Sequence, residues 1–234
     1  MQLTRDHWTP EDMAQFVAYL ATLGKGEEKA RWEQRILQTA MPTLAVPATE
    51  VKHIVRQIAK GNLREFIALW PWHNYTVTAI LGQLLCRLPF AEAEPLLLRY
   101  AALTDTWAGT DCLTFTRADH ATYMGFARRA LEDNAHTFVR RLGVIVMLKV
   151  LGDDTVEEIL SILPSLESET EYYVNMAVAW LVSECYVHYP EPTLRFLEEG
   201  HYNAFVAAKA VSKCRDSYRV SPEDKQMLLR YRRK

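Results

Sequence analysis

The stretch that most constrains the fold is Tyr172 to Val187, YYVNMAVAWLVSECYV. Only Asn175 and Ser183 interrupt its apolar residues before Glu184. A helix apolar on every side belongs in the middle of a larger packed body, because no face of it suits water. Trp180 lies near its centre. Ser183, three residues on, shares that face.

The chain around this segment reads as helix after helix. Thr9-Pro10-Glu11-Asp12 is a helix start, with a hydroxyl N-cap, proline at the first helical position and acids in the first turn. That helix runs to Gly24. A second spans about 27–40, with Trp32, Ile36 and Leu37 spaced for one buried face. A third runs from Ala48 to Gly61. Beyond it, a shorter polar helix alternates with a longer apolar one. The pairs are Asn62–Trp70 with His73–Leu88, Ala91–Ala102 with Trp107–Arg117, and Asp119–Leu131 with Ala135–Leu151. Asp154–Leu163 with Thr170–Tyr189 and Glu191–Glu198 with Asn203–Asp216 complete the series. The second helices recur at roughly the 31–35-residue period used by helical solenoids. No pair buries its own apolar face, so neighbours must stack. Asp154 is expected to cap its helix in a box with Glu157, and Ser221-Pro222-Glu223-Asp224 repeats the opening cap. No hairpin dipeptide signals strands.

The expected architecture is all-α: a solenoid of HEAT/armadillo-like helical pairs in a right-handed-superhelix arrangement, forming a single domain. Residues 1–61 form an N-terminal cap, 62–216 about five pairs, and 217–234 a basic C-terminal helix. At 234 residues such a body buries a sizeable core.

Composition narrows the function classes. No apolar run approaches the roughly 20 residues of a membrane span, and no secretory leader pattern opens the chain. A soluble, cytoplasmic protein is expected. Cys86, Cys112, Cys185 and Cys214 are scattered without a CxxC, as buried reduced thiols would be. Net charge is −2, but from Lys209 onward nine basic residues face three acids, a local +6 on a body of −8. Such an end suits phosphate, or it is simply a solvated last helix. The phosphate-loop, dinucleotide, zinc-protease and serine-hydrolase signatures are absent, the seven histidines do not cluster, and neither metal nor cofactor is expected.

The chemistry-bearing residues recur at matching places in the repeats. Trp107 and Asp111 are four apart, Arg140 and Arg141 precede LGVIVML, and Trp180 sits in the following second helix. If the second helices line one face, two indoles, a carboxylate and guanidiniums converge on it. The structural alternative has both tryptophans in the core and the Asp and Arg as a buried ion pair.

TWAGTDCL (106–113), FVRRLGVIVMLK (138–149), EYYVNMAVAWLVSECYVHYPEPTLRFLE (171–198) and KAVSKCRDSYRVSPEDK (209–225) resemble the AlkD-type DNA alkylation repair family over most of the chain. These are HEAT-like-repeat glycosylases of bacteria that hydrolyse the N-glycosidic bond of cationic N3- and N7-alkylpurines. The resemblance implies a monomer acting on alkylated or otherwise damaged double-stranded DNA at the nucleoid, without cofactor. It implies Asp111 as the catalytic carboxylate, Trp107 and Trp180 flanking the cationic base, and Arg141 on phosphate. Arg140, Lys213, Arg215 and Arg219 are the further DNA-binding candidates. At Ser183 the active members carry an arginine, so one phosphate-contacting cation is replaced. Two other readings stay open: a diverged, non-catalytic DNA-binding member, and a helical-repeat scaffold whose concave face binds protein.

Overall fold

A computed structural model describes residues 1–115 and 119–232. Every regular element among them is helical. By compactness the chain divides into two units, residues 1–117 and 118–234.

The first unit holds α1 (Pro10–Leu23), α2 (Glu27–Leu37), α3 (Ala48–Ile58), α4 (Leu63–Ala68), α5 (Tyr75–Leu85), α6 (Phe90–Leu103) and α7 (Trp107–Asp111). The Thr9 capping box forms: the Asp12 amide donates to the Thr9 hydroxyl at 3.4 Å, and the Thr9 amide donates to the Asp12 carboxylate at 2.9 Å. Trp8, Phe16 and Phe66 interlock edge to face, with centroids 5.0–6.2 Å apart. α5 packs against α3, α4, α6 and α7 and is the buried axis of the unit.

The second unit holds α8 (His120–Leu131), α9 (Thr137–Lys149), α10 (Val156–Ile162), α11 (Tyr172–His188), α12 (Pro190–Glu199), α13 (Ala204–Asp216) and α14 (Pro222–Met227). Short 3-10 turns follow α10 and α14. α11, the all-round apolar helix, packs on α9, α12 and α13, while α10 and α12 pack on each other. The second helices α9, α11 and α13 therefore form one layer, as the repeat requires.

A polar clip ties the starts of these three helices together. The Glu169 carboxylate accepts from Arg140 Nε at 2.7 Å and from the Thr170 and Glu171 amides at 2.9 and 2.8 Å. The Glu169 carbonyl accepts from Asn175 Nδ2 at 2.9 Å, and Asn203 Nδ2 donates to Asn175 Oδ1 at 2.9 Å. Asn203 in turn caps α13 through the Val206 amide at 2.9 Å.

Several expectations are corrected. α7 is a single turn ending at Asp111; its expected end at 116–117 lies outside the described residues. Trp32 and Ile36 are 45% and 53% exposed, so only Leu37 of that trio is buried. Their spacing puts them on one face, but that face is left to solvent, with the Lys29 ammonium 3.3 Å from the Trp32 ring centroid. Asp154 does not cap α10. The Thr155 hydroxyl takes the Gly152 amide at 2.9 Å and donates to the Val150 carbonyl at 2.6 Å, closing the turn one residue later. Cys112, at the end of α7, is exposed; the other three thiols are buried. The basic terminal helix is only the six residues of α14 plus a 3-10 turn, and Arg233 and Lys234 lie outside the described residues.

Burial would raise the Glu169 carboxyl, but the Arg140 hydrogen bond and the two backbone amides hold it below its ordinary 4.5. A depressed carboxyl stabilises the fold above its unfolded value, and that stability is lost as pH falls through the folded one. Arg140→Ala is therefore expected to cost about 3 kcal/mol near pH 7, because it strands a buried charge. Thermal unfolding against pH should show the gap between wild type and Glu169→Gln narrowing below pH 4.5.

Candidate functional site

The candidate residues fall in two constellations, one in each unit.

In the first unit the short helix α7 is locked from behind. Asp105 accepts from the Thr39 hydroxyl and the Ala40 amide, both at 2.7 Å. The Thr106 hydroxyl donates to the Leu37 carbonyl at 2.6 Å and accepts from the Ala108 amide, so one side chain both caps the helix and pins it to the end of α2. Ala108, Gly109 and Thr110 are buried. Leu113 closes the far end, and a Cβ on Gly82 would lie 3.0 Å from its Cδ2 and 2.8 Å from the Tyr100 hydroxyl. Burial pushes the Tyr75 and Tyr100 phenols well above their usual range, so both stay neutral.

This leaves the outer face of α7 to Trp107 and Asp111, each half-buried and one turn apart. The Thr110 hydroxyl stands 3.0 Å from the Trp107 carbonyl and 3.1 Å from the Asp111 carboxylate, and its one proton serves either. A carboxylate and an indole on a helix whose other face is fixed form a preorganised pair. A separate cleft of about 600 Å³, lined by Pro10, Met13, Val17, Pro71, Trp72 and His73 among others, includes neither.

In the second unit Trp180 and Ser183 line a cavity of about 360 Å³ with Glu184, Val187, Lys213, Asp216, Ser217 and Arg219. Ser183 is buried, and its hydroxyl donates to the Trp180 carbonyl at 2.7 Å, the back-bond typical of serine inside a helix. Arg219 donates two hydrogen bonds to the Glu184 carboxylate, at 2.7 and 3.0 Å. That pairing first, and lesser bonds including one from the Trp180 indole, hold the Glu184 carboxyl below its ordinary value despite burial. Arg219 is thus an arginine delivered beside Trp180 from the loop after α13, 36 positions on in sequence from Ser183.

The other candidates sit differently. Arg140 is committed to Glu169, and its Nη1 donates to the Asp133 carbonyl at 2.8 Å. Arg141 is 5% exposed and donates to the Tyr173 carbonyl. Arg215 lines another cavity, with Ser212, Pro222, Lys225 and Gln226. Among the described residues no group of three His, Cys, Asp or Glu could hold a metal, and no helix is long and apolar enough to cross a membrane.

Two half-buried indoles, one near a carboxylate and one near a guanidinium, thus stand on an all-helical scaffold. Comparison with protein families then places the chain: it belongs to the DNA alkylation repair enzymes, whose family model matches residues 18–214. No curated protein matches it.

The sequence reading missed one regularity. The second helices open on aromatic residues: Tyr75 in α5, Trp107 in α7, Phe138 in α9, Tyr172 and Tyr173 in α11, Phe205 in α13. The signal was legible as an aromatic recurring with the helical repeat, once the helix starts were aligned.

The locking of α7 is testable by itself. A Cβ on Gly109 would lie 2.3 Å from the Thr104 hydroxyl oxygen, which is buried. Gly109→Ala is expected to destabilise the protein by roughly 1–3 kcal/mol, read by denaturant unfolding, and to displace Trp107, read as a shift in tryptophan emission.

Proposed function

We propose that the protein is a DNA glycosylase that releases cationic N3- or N7-alkylpurines from duplex DNA. The observation that carries the reading is the pair on α7. Trp107 and Asp111 share the outer face of a helix whose inner face is fixed by Asp105, Thr106 and Leu113.

The chemistry follows from the charges. An alkylated purine is positively charged and a ready leaving group. Its departure leaves an oxocarbenium-like sugar. The Asp111 carboxylate stabilises that cation and orients the attacking water, which takes over the C1′ bond as the base leaves with the glycosidic electron pair. The water's proton passes to solvent. Indole faces attract a cationic base electrostatically, the role of Trp107 beside Asp111 in the first unit, and Trp180 offers a second indole in the other unit. Lys213 and Arg219 are the cations beside Trp180, and they serve the phosphates.

One observation favours a second reading, a family member that binds DNA without excision. Ser183 spends its hydroxyl inside its own helix, and the arginine present beside Trp180, Arg219, is bound to Glu184.

The test is release of 7-methylguanine and 3-methyladenine from methylated duplex DNA under single-turnover conditions. Wild type should release base, and Asp111→Asn should be slower by at least about 100-fold, the scale of a lost electrostatic or acid–base contribution. No release at high enzyme concentration overturns the glycosylase reading. The second reading then requires duplex affinity that falls steeply with salt, with the log–log slope reduced by about 1 in Arg219→Ala.

A further inference from the structure

The aromatic residues that open the helices of the second unit touch one another. Phe138 meets Tyr173 at 5.3 Å between centroids, Tyr173 meets Tyr172 at 5.3 Å, and Tyr172 meets Phe205 at 5.7 Å. The rings form a continuous row across the first turns of α9, α11 and α13. Phe138, Tyr173 and Phe205 each occupy the second position of their helix. The row is reachable: Tyr172 is 55% exposed and the other three rings are half-buried. The Lys209 ammonium stands 5.5 Å from the Phe205 ring centroid.

The clip beneath explains why the row is rigid. Arg141 donates to the Tyr173 carbonyl, Arg140 holds Glu169, and Asn175 and Asn203 join α11 to α13. Packing alone does not account for Tyr172, since a large ring more than half exposed contributes little to a core. The row stands where three helices of 13, 17 and 13 residues present their N-termini. Among the described residues the N-cap residues His136 and Glu171 make no side-chain cap bond to α9 or α11, so the first amides of these helices favour an anion. Glu169 is neutralised by Arg140; Glu171, beside the Thr137 hydroxyl at 3.1 Å, and Asp133, which accepts from the His136 amide at 2.7 Å, are acids at the row's edge.

We infer that this row is a stacking surface for unpaired bases of DNA, such as those at a gap or frayed end; the inference rests on the DNA-repair reading above. Aromatic faces accept any base, and amides and a lysine beside them suit the phosphates between bases. The orientation of the rings favours unpaired over duplex DNA. Bases in a duplex are already stacked on their neighbours, and the rings stand at 36°, 79° and 69° to one another, so bases lying on them are unpaired and splayed rather than stacked in parallel. The row includes neither Asp111 nor Trp180, so its effect on binding is read separately from base release.

The test is fluorescence anisotropy with a 20-base-pair duplex, and with the same duplex carrying a three-nucleotide gap, for wild type, Tyr172→Ala, Tyr172→Phe and Glu171→Gln. The gapped duplex should bind more tightly than the intact one. Tyr172→Ala should lose about fivefold or more on gapped DNA and leave intact duplex within twofold. Tyr172→Phe should retain binding, and Glu171→Gln should strengthen it. Equal affinity for the two DNAs, or an equal loss on both in Tyr172→Ala, overturns the stacking surface and leaves the glycosylase reading standing. Failure to bind either DNA overturns both. Circular dichroism of the Tyr172 variants separates loss of stacking from loss of fold.

Discussion

Glu169 puts a carboxylate and a carbonyl into the seam where α9, α11 and α13 begin, and the second unit is built outward from it. The carboxylate holds Arg140 of α9, and the carbonyl holds Asn175 of α11, which holds Asn203 at the cap of α13. Apolar burial supplies the bulk of the stability. α11 buries Val174, Ala177, Val178, Leu181 and Val182 among others, each fully buried Val or Leu being worth roughly 2 kcal/mol. Apolar faces tolerate sliding, however, and a buried charge with several directed partners does not. The clip sets the register of three helices, and so the position of whatever they carry on their first turns.

The first unit solves the same problem with hydroxyls. Asp105 and Thr106 fasten α7 to the end of α2, and Thr104 fits against Gly109. A five-residue helix has too few internal bonds to hold itself, so its geometry is imposed by these tertiary contacts. In both units the helices that carry functional candidates are fixed by short polar contacts at their N-terminal ends. Such support is what a site needs if its charges are to be in place before the substrate arrives.

Much of this was legible in the residues. The alternation of helices, the Thr9 and Ser221 caps and the burial of α11 follow from local pattern. What escaped was decided by partners distant in sequence. Arg140 and Arg141 read as DNA-binding candidates or as a buried pair with an aspartate, because their actual partners, Glu169 and the Tyr173 carbonyl, are 29 and 32 residues away. α7 reads as a full helix because nothing local says that Thr106 and Asp105 will be drawn to α2. Trp32 and Ile36 show the converse: helical spacing defines a face, but not what covers it. At the site, the indole and carboxylate types were visible, whereas Arg219 beside Trp180 was not, because it arrives from a later loop.

We propose that the Trp107 indole recognises positive charge on a purine. The most direct measurement is the affinity of Asp111→Asn for a duplex bearing one non-cleavable cationic alkylpurine analogue, against the same duplex undamaged. Tighter binding of the cationic duplex is expected, with the preference lost when Trp107 is also replaced by alanine. Equal affinity for the two duplexes would contradict it.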